Sequence, residues 1–503
     1  MQEGSAIRPP NVALMLRAAS TRHPGKAAVV ERARMVTYAE LEARAGAVAQ
    51  ALLATGVARG DRVAVLLDRG ADAVASYFGV LAVGGVVVML NAALRPRQIE
   101  YALSHSGARA FVTSSTILMR MHRDIASDAS VLDLEAVLAD GPFEPVDVGE
   151  HDPAQITYTS GSTGLPKGVV ASHANVQAAI RIVAGYLGLE AADRIAGLLP
   201  PSGVYGANQM LCAVLVGATL VVPTSPLMSQ VAAELRETEA TVLAAVPPLW
   251  LQLIQAPGFA AEPIPSLRIL QNAGGHLAPA AVRQLRSVQP QARIFLQYGM
   301  TEVFRSSYLP PEEIDRLPGS MGRPMPETEI LVVREDGSLC DADEVGELVH
   351  SGPTVTRGYW NEPERTSQVY RPHPVTGEGL AVYSGDMVRR DADGFLHFVG
   401  RADRMIKTLG YRVGPDEILD VLLASGEIEE GVVTAFDDPD RGQGVVAYVV
   451  LKDGASVKAL QRFCRAELPR YMQPTRFVEL DELPKLPNGK HDLSALGARA
   501  VGT

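Results

Sequence analysis

Cysteine is scarce, and excess positive charge and long apolar runs are missing, in this chain of 503 residues. Its three cysteines, Cys212, Cys340 and Cys464, lie far apart without Cys-x-x-Cys or His-rich spacing, which excludes a disulfide framework or a zinc site built on them. Lysine and arginine number 46 against 57 acidic residues, a formal net charge of -11. A polyanion-binding surface needs clustered Lys and Arg to displace counterions, so nucleic acid is excluded as a partner. No uncharged apolar run reaches membrane-spanning length, and the stretch Met1 to Ser20 lacks the continuous apolar core of a signal peptide. No membrane insertion is expected, and a reducing, ATP-rich cytoplasm is the expected setting.

What is present is a chain with 47% hydrophobic and 20% charged residues, enough for several globular cores. Short β-like apolar runs alternate with helical patterns, the pattern of βαβ units; the fold class is α/β, a large region of mostly parallel sheets flanked by helices. Thr37 and Glu40 have capping-box spacing, Leu41, Ala45, Val48 and Leu52 share one helical face, and Gly56 supplies a stop. A strand over Arg62 to Leu67, a helix near Ala71 to Leu81 and an apolar run Val86 to Leu90 follow, and Ile99 to Ser106 with Ala110 to Thr113 repeats the alternation. The last hundred or so residues read as a small α+β unit. It has strands at Val432 to Phe436, Val445 to Leu451 and Arg476 to Leu480, and a helix near Ser456 to Leu468. The short polar segment Gly400 to Arg404 reads as a hinge. The expected division is a large domain over 1–402 and a small mobile domain over 403–503.

The strongest local signal is Thr159-Ser160-Gly161-Ser162-Thr163-Gly164-Leu165-Pro166-Lys167-Gly168, between the strand-like Gln155 to Tyr158 and the pair Val169-Val170. Glycines let backbone N–H groups turn inward, hydroxyls add donors, and Lys167 offers a point charge to phosphates. It is not a Walker loop, because Pro166 precedes the lysine and Gly168 follows it. With this loop the chain resembles the adenylate-forming superfamily of acyl-CoA synthetases, carrier-protein-charging adenylation domains and beetle luciferases. The resemblance runs in order through Tyr298-Gly299-Met300-Thr301-Glu302, Gly346-Glu347-Leu348, Gly358-Tyr359-Trp360, Ser384-Gly385-Asp386, Gly400-Arg401-Ala402-Asp403, Gly410-Tyr411-Arg412 and Pro487-Asn488-Gly489-Lys490.

The resemblance implies ATP-dependent activation of a carboxylic acid to an acyl-adenylate, then acyl transfer to the thiol of coenzyme A or of a phosphopantetheine arm on a separate carrier protein. It implies that Tyr298 stacks on adenine, Thr301 lies near the α-phosphate and Glu302 holds Mg²⁺. Asp386 and Arg401 are implied at the ribose, and Lys490 as the catalytic ammonium. Asp403 is implied as the hinge, and Gly410, Tyr411 and Arg412 as the thiol-side face.

At the acyl pocket the chain departs from the family. Gly203 lacks the common aromatic residue or His, and Val204 stands where α-amino-acid enzymes place an Asp for the substrate ammonium. A buried ammonium without a partner costs several kcal/mol, so a non-amino acid is expected as substrate. Candidate walls are Val204, Tyr205, Pro247, Leu249, Gly274, Gly275 and Phe304. Ser384 replaces the commoner Thr, and the stretch Phe304 to Pro311 looks most like stand-alone bacterial acyl-CoA ligases. No carrier domain follows Thr503, so an acceptor in trans is expected. Alternatives from other classes are an amino-acid-loading enzyme, a luciferase-like monooxygenase and a non-catalytic nucleotide-binding homologue; the last would predict erosion at Glu302, Asp386 or Lys490, which are intact.

Overall fold

The computed structural model describes residues 11–31, 34–121, 125–137, 143–159, 166–401, 406–484, 491 and 495–496, with backbone alone at 400, 401, 412, 416 and 420. Ser160, Gly161, Ser162, Thr163, Gly164, Asp403 and Lys490 lie outside the described residues.

The helix Tyr38–Ala54 starts as its sequence requires: the Thr37 hydroxyl accepts the Glu40 N–H at 3.2 Å, and the Glu40 carboxylate accepts the Thr37 N–H at 2.7 Å. Its apolar face meets the helix Ala71–Ala82, of which every residue but Asp72 is buried. A helix apolar all round needs cover on all sides, and this one touches strands of two different sheets.

The first sheet has six strands in the order Ser130–Asp133, Ala108–Thr113, Arg62–Val65, Val86–Met89, Pro153–Thr159 and Lys167–Ser172. All its pairs are parallel except the last, a hairpin in which Thr159 and Lys167 are partners. The second sheet has nine strands. Its centre, including Arg293–Tyr298, Ile269–Asn272, Val242–Ala245, Arg194–Ala196 and Thr219–Val222, is parallel, with antiparallel strands at both edges. Val242–Ala245 is buried throughout, as expected of a strand covered on both faces.

A third sheet, over Glu329–Val333, Val345–Ser351, Leu380–Arg390, Tyr370–Pro372 and Leu396–Arg401, is antiparallel. Period-two alternation divides its apolar residues between two cores: Ile330, Val332, Leu348 and Val382 face one, while Leu331, Val333, Val349 and Ala381 face the other. The C-terminal sheet contains Ile406–Thr408, Tyr411–Val413, Ile428–Asp438 and Gly442–Leu451, with Arg476–Glu479 paired in parallel to Gly442–Leu451. Helices Pro415–Ala424 and Val457–Glu467 close a separate core around Ile406, Ile418, Leu422, Val445 and Leu460. The second helix begins where Ser456 accepts the Ala459 N–H at 3.2 Å. Among the described residues no helix is long and apolar enough to cross a membrane.

Gly79 sets the spacing of the central helix pair, since a Cβ there would lie 2.8 Å from the Ala45 carbonyl oxygen and from Val48 Cβ. Gly79→Val should therefore destabilise the protein by about 2 kcal/mol through overpacking. Urea unfolding with an unchanged midpoint would refute this.

Candidate active site

The site is built around one tight return of the chain. Strand Arg293–Tyr298 pairs antiparallel with Ser307–Leu309, with Tyr298 opposite Ser307, and the Ser306 N–H donates to the Tyr298 carbonyl at 2.9 Å. A Cβ at Gly299 would lie 2.6 Å from the Phe304 carbonyl oxygen and 2.7 Å from Arg305 Cα, so the return closes because position 299 is glycine. Phe304 takes φ 59°, a left-handed conformation that a bulky residue adopts only under constraint. Tyr298, Thr301, Phe304 and Arg305 thereby line a cavity of about 690 Å³.

On one side of this cavity stands Asp386, fully buried in strand Leu380–Arg390. Its N–H donates to the Ser384 hydroxyl at 3.0 Å, and that hydroxyl donates to the Leu348 carbonyl at 2.7 Å. Serine in place of threonine thus keeps the hydroxyl that makes both of these bonds. The Tyr298 hydroxyl donates to the Asp386 carboxylate, and Arg401 is the backbone partner of Asp386 across the sheet. The two ribose-side positions and the expected adenine-side ring are therefore brought together. An aromatic face beside a carboxylate acceptor fits a nucleoside.

Lys167, the first residue after the phosphate loop's proline, reaches Glu302 at 2.8 Å and the Tyr359 hydroxyl at 2.7 Å. The Tyr359 hydroxyl donates to the same Glu302 oxygen at 2.8 Å, and the ammonium lies 4.3 Å from the Tyr359 ring centroid. Burial alone would raise the Glu302 pKa, but the Lys167 charge and the hydrogen bonds from Lys167 and Tyr359 outweigh it and hold the carboxyl below its ordinary 4.5. Burial first, then the adjacent Glu302, pushes the Tyr359 hydroxyl far above its ordinary value, so it stays a donor. The ionised Glu302 is a hard oxygen ligand. Its oxygen donors suit a hard cation such as Mg²⁺, which takes the rest of its coordination from phosphate oxygens and water.

The acyl wall comes from several elements. Val204 and Tyr205 open the helix Val204–Val216 after Gly203, Leu249 lies on Pro247–Gln255, and Gly274 and Gly275 follow strand Ile269–Asn272; all of these line the cavity. Pro247 does not. It packs behind Gly275, whose added Cβ would lie 3.1 Å from Pro247 Cγ, and its neighbours Val246 and Pro248 form the wall instead. Helix geometry explains this correction: adjacent residues at a helix start point in different directions.

The C-terminal sheet supplies the remaining wall. Gly410, with φ 80°, and Tyr411 both line the cavity. A Cβ at Gly410 would lie 2.7 Å from Val246 Cβ, so backbone packs directly against side chain there. Tyr411 stacks on Tyr471 at 3.7 Å within the C-terminal region, and Arg95 donates to the Arg465 carbonyl at 2.9 Å, fastening that region to the larger one. Arg412 lies in strand Tyr411–Val413.

Sequence reasoning missed Arg305 and gave Tyr359 no role. A signal existed for both, since Arg305 directly follows a predicted wall residue and Tyr359 sits inside a quoted motif. Their burial was invisible, because the Tyr205 ring beneath Arg305 and the Lys167 and Glu302 groups at Tyr359 are far away in sequence.

The model described as AMP-binding enzyme matches residues 16–360, and the AMP-binding enzyme C-terminal domain matches 417–490. The chain belongs to the AMP-binding enzyme family. Among relatives of this AMP-binding enzyme, tyrocidine synthase 1 of Brevibacillus parabrevis is 30% identical over 94% of the chain, which spans 43% of that protein. The chain covers less than half the length of the first curated relatives it matches. A double mutant of o-succinylbenzoate CoA synthetase from Bacillus subtilis, bound with its product analogue OSB-NCoA, superposes with TM-score 0.87 at 26% identity, covering 98% of this chain and 99% of that one. The same synthetase in complex with AMP gives TM-score 0.72 at 27% identity, covering 96% and 97%.

Ionised Glu302 stabilises the fold above its unfolded pKa, and that contribution is lost as pH falls through the lower folded value. Glu302→Gln should flatten the loss of stability below pH 4.5 and, by stranding Lys167, cost about 3 kcal/mol at neutral pH. Urea midpoints across pH measure both; a parent-like acid slope in the variant would assign the titration elsewhere.

Proposed function

We propose that this enzyme activates a carboxylic acid with ATP and then transfers the acyl group to a thiol. The observation that carries this reading is the single cavity, lined both by the nucleotide-side residues Tyr298, Thr301 and Asp386 and by Gly410 and Tyr411 of the C-terminal sheet. A site that serves two half-reactions needs both walls.

In the first step an oxygen of the substrate carboxylate attacks the α-phosphorus of ATP. The bond from that phosphorus to the bridging oxygen breaks, and pyrophosphate leaves with the electron pair. Asp386, oriented by Tyr298 and Ser384, accepts hydrogen bonds from the ribose hydroxyls, and Thr301 donates to a phosphoryl oxygen. Thr159, Ser160, Gly161, Ser162, Thr163 and Gly164 cradle the phosphates, with Lys167 at the end of the loop. Glu302 would hold Mg²⁺, which would supply positive charge against the phosphates. Lys490 draws the carboxylate and the α-phosphate together, offsetting the repulsion of two anions. In the second step a thiolate, from coenzyme A or phosphopantetheine, attacks the acyl carbon; the bond from that carbon to the AMP oxygen breaks, and AMP departs.

The division at 402/403, with Asp403 as the hinge, belongs to this proposal. The large and small regions rotate between the two steps, one placing Lys490 and the other placing Gly410, Tyr411 and Arg412. The better superposition on the product-analogue complex than on the AMP complex supports reading the present arrangement as the acyl-transfer one. The apolar Val204 on the cavity wall supports a non-amino acid.

Carboxylate-dependent exchange of labelled pyrophosphate into ATP tests the first step. Lys490→Ala should lower it by about 100-fold or more while changing thioester formation from supplied acyl-adenylate only a few-fold. Equal loss in both steps would reject the assignment. Gly410→Ala should show the converse, with exchange retained and thioester formation slowed at least about tenfold, because its Cβ obstructs docking on Val246. Unchanged thioester formation would remove Gly410 from the thiol side.

A further inference from the structure

Arg305 is 3% exposed and lines the acyl cavity. One guanidinium nitrogen donates to the Phe304 carbonyl at 3.1 Å, whereas Nε and the other terminal nitrogen have no hydrogen-bond partner. The group sits over the Tyr205 ring, 4.1 Å from its centroid. No described carboxylate pairs with it. A guanidinium remains charged throughout the physiological range, and a buried charge without a counter-ion is strongly destabilising. The backbone nevertheless holds it there, through the glycine-dependent return and the left-handed Phe304.

The position of this charge points to what it is for. The groups whose pKa values its charge lowers are Tyr186, Tyr205 and Cys212, on the helices His173–Leu187 and Val204–Val216. Burial is the larger influence on each, and it pushes the Cys212 thiol up to about 12, so none of these groups supplies an anion. The phosphate-side pair, Lys167 with Glu302, is already satisfied. The neighbouring His350, between the Ser306 and Thr354 hydroxyls, is held neutral by burial, which lowers it to about 3.

We propose that the acid activated by this enzyme carries a second carboxylate, remote from the reacting one, which Arg305 binds inside the acyl cavity. The proposal rests on the adenylating function above and specifies its substrate class. The two free N–H directions suit a carboxylate, the Tyr205 face holds the guanidinium flat, and removal of both charges from water makes the contact selective.

The test compares dicarboxylic acids of graded length, aliphatic and aromatic, with isosteres in which one carboxylate is replaced by methyl, on the parent and on Arg305→Met. Pyrophosphate exchange should favour the diacid over its isostere by about 100-fold in kcat/KM. Arg305→Met should abolish that preference, mainly by raising KM for the diacid, while leaving the isostere within about threefold. Melting without ligand separates this from a structural role: removing an unpaired buried charge should leave Tm unchanged or raise it. A lower Tm with equal loss on both acids would overturn the proposal, as would a parent that prefers the isostere. Ligand-induced melting shifts keep the two readings distinct. If the diacid raises the Tm of the parent but not of Arg305→Met, yet no exchange occurs, the anion site stands and the adenylating function falls. If exchange proceeds with isosteres and diacids neither react nor bind, the function stands and the anion site falls.

Discussion

The missing Cβ at Gly299 is the constraint on which the rest of the site depends. Because the chain can fold back there against Phe304 and Arg305, one short return carries Thr301, Phe304 and Arg305 to the cavity and Glu302 to a separate ion pair. Thr301 and Phe304 face the cavity, and Glu302 meets Lys167 and Tyr359 beneath it. The strand before the return ends in Tyr298, which is tied to Asp386 in the third sheet. A single backbone geometry thus couples the Tyr298–Asp386 contact, the Lys167–Glu302 pair and the wall of the cavity.

Two cations in this site, a half-buried Lys167 and a buried Arg305, have opposite fates. Lys167 has a carboxylate, a hydroxyl and an aromatic face, so its charge is compensated within the chain. Arg305 has an aromatic face and one carbonyl, with two nitrogens unmet. The low dielectric that strengthens the first arrangement makes the second unfavourable until a ligand completes it. A site that is unsatisfied when empty is one whose ligand binding and selectivity come from the same contact.

The C-terminal sheet has its own core, and its closest backbone approach to the rest of the cavity is Gly410 against Val246. Central strands such as Val86–Met89 and Val242–Ala245, buried throughout, supply the frame on which that contact rests.

Much of the frame was legible in the sequence because its determinants are local. The capping box at Thr37 and Glu40 and the helical stretch that became Ala71–Ala82 depend on neighbours within a few residues. Motif order likewise marked Tyr298, Thr301, Glu302, Asp386 and Gly410, and the structure places these at or beside one cavity. The antiparallel third sheet, the withdrawal of Pro247 behind Gly275 and the solitude of Arg305 were not legible. By itself the sequence determined the α/β elements and the chemical inventory, since backbone propensity and residue type are properties of short segments. Only the tertiary structure decided which charges are paired and which await a partner, because burial and electrostatic compensation depend on groups that are distant in the chain and adjacent in space.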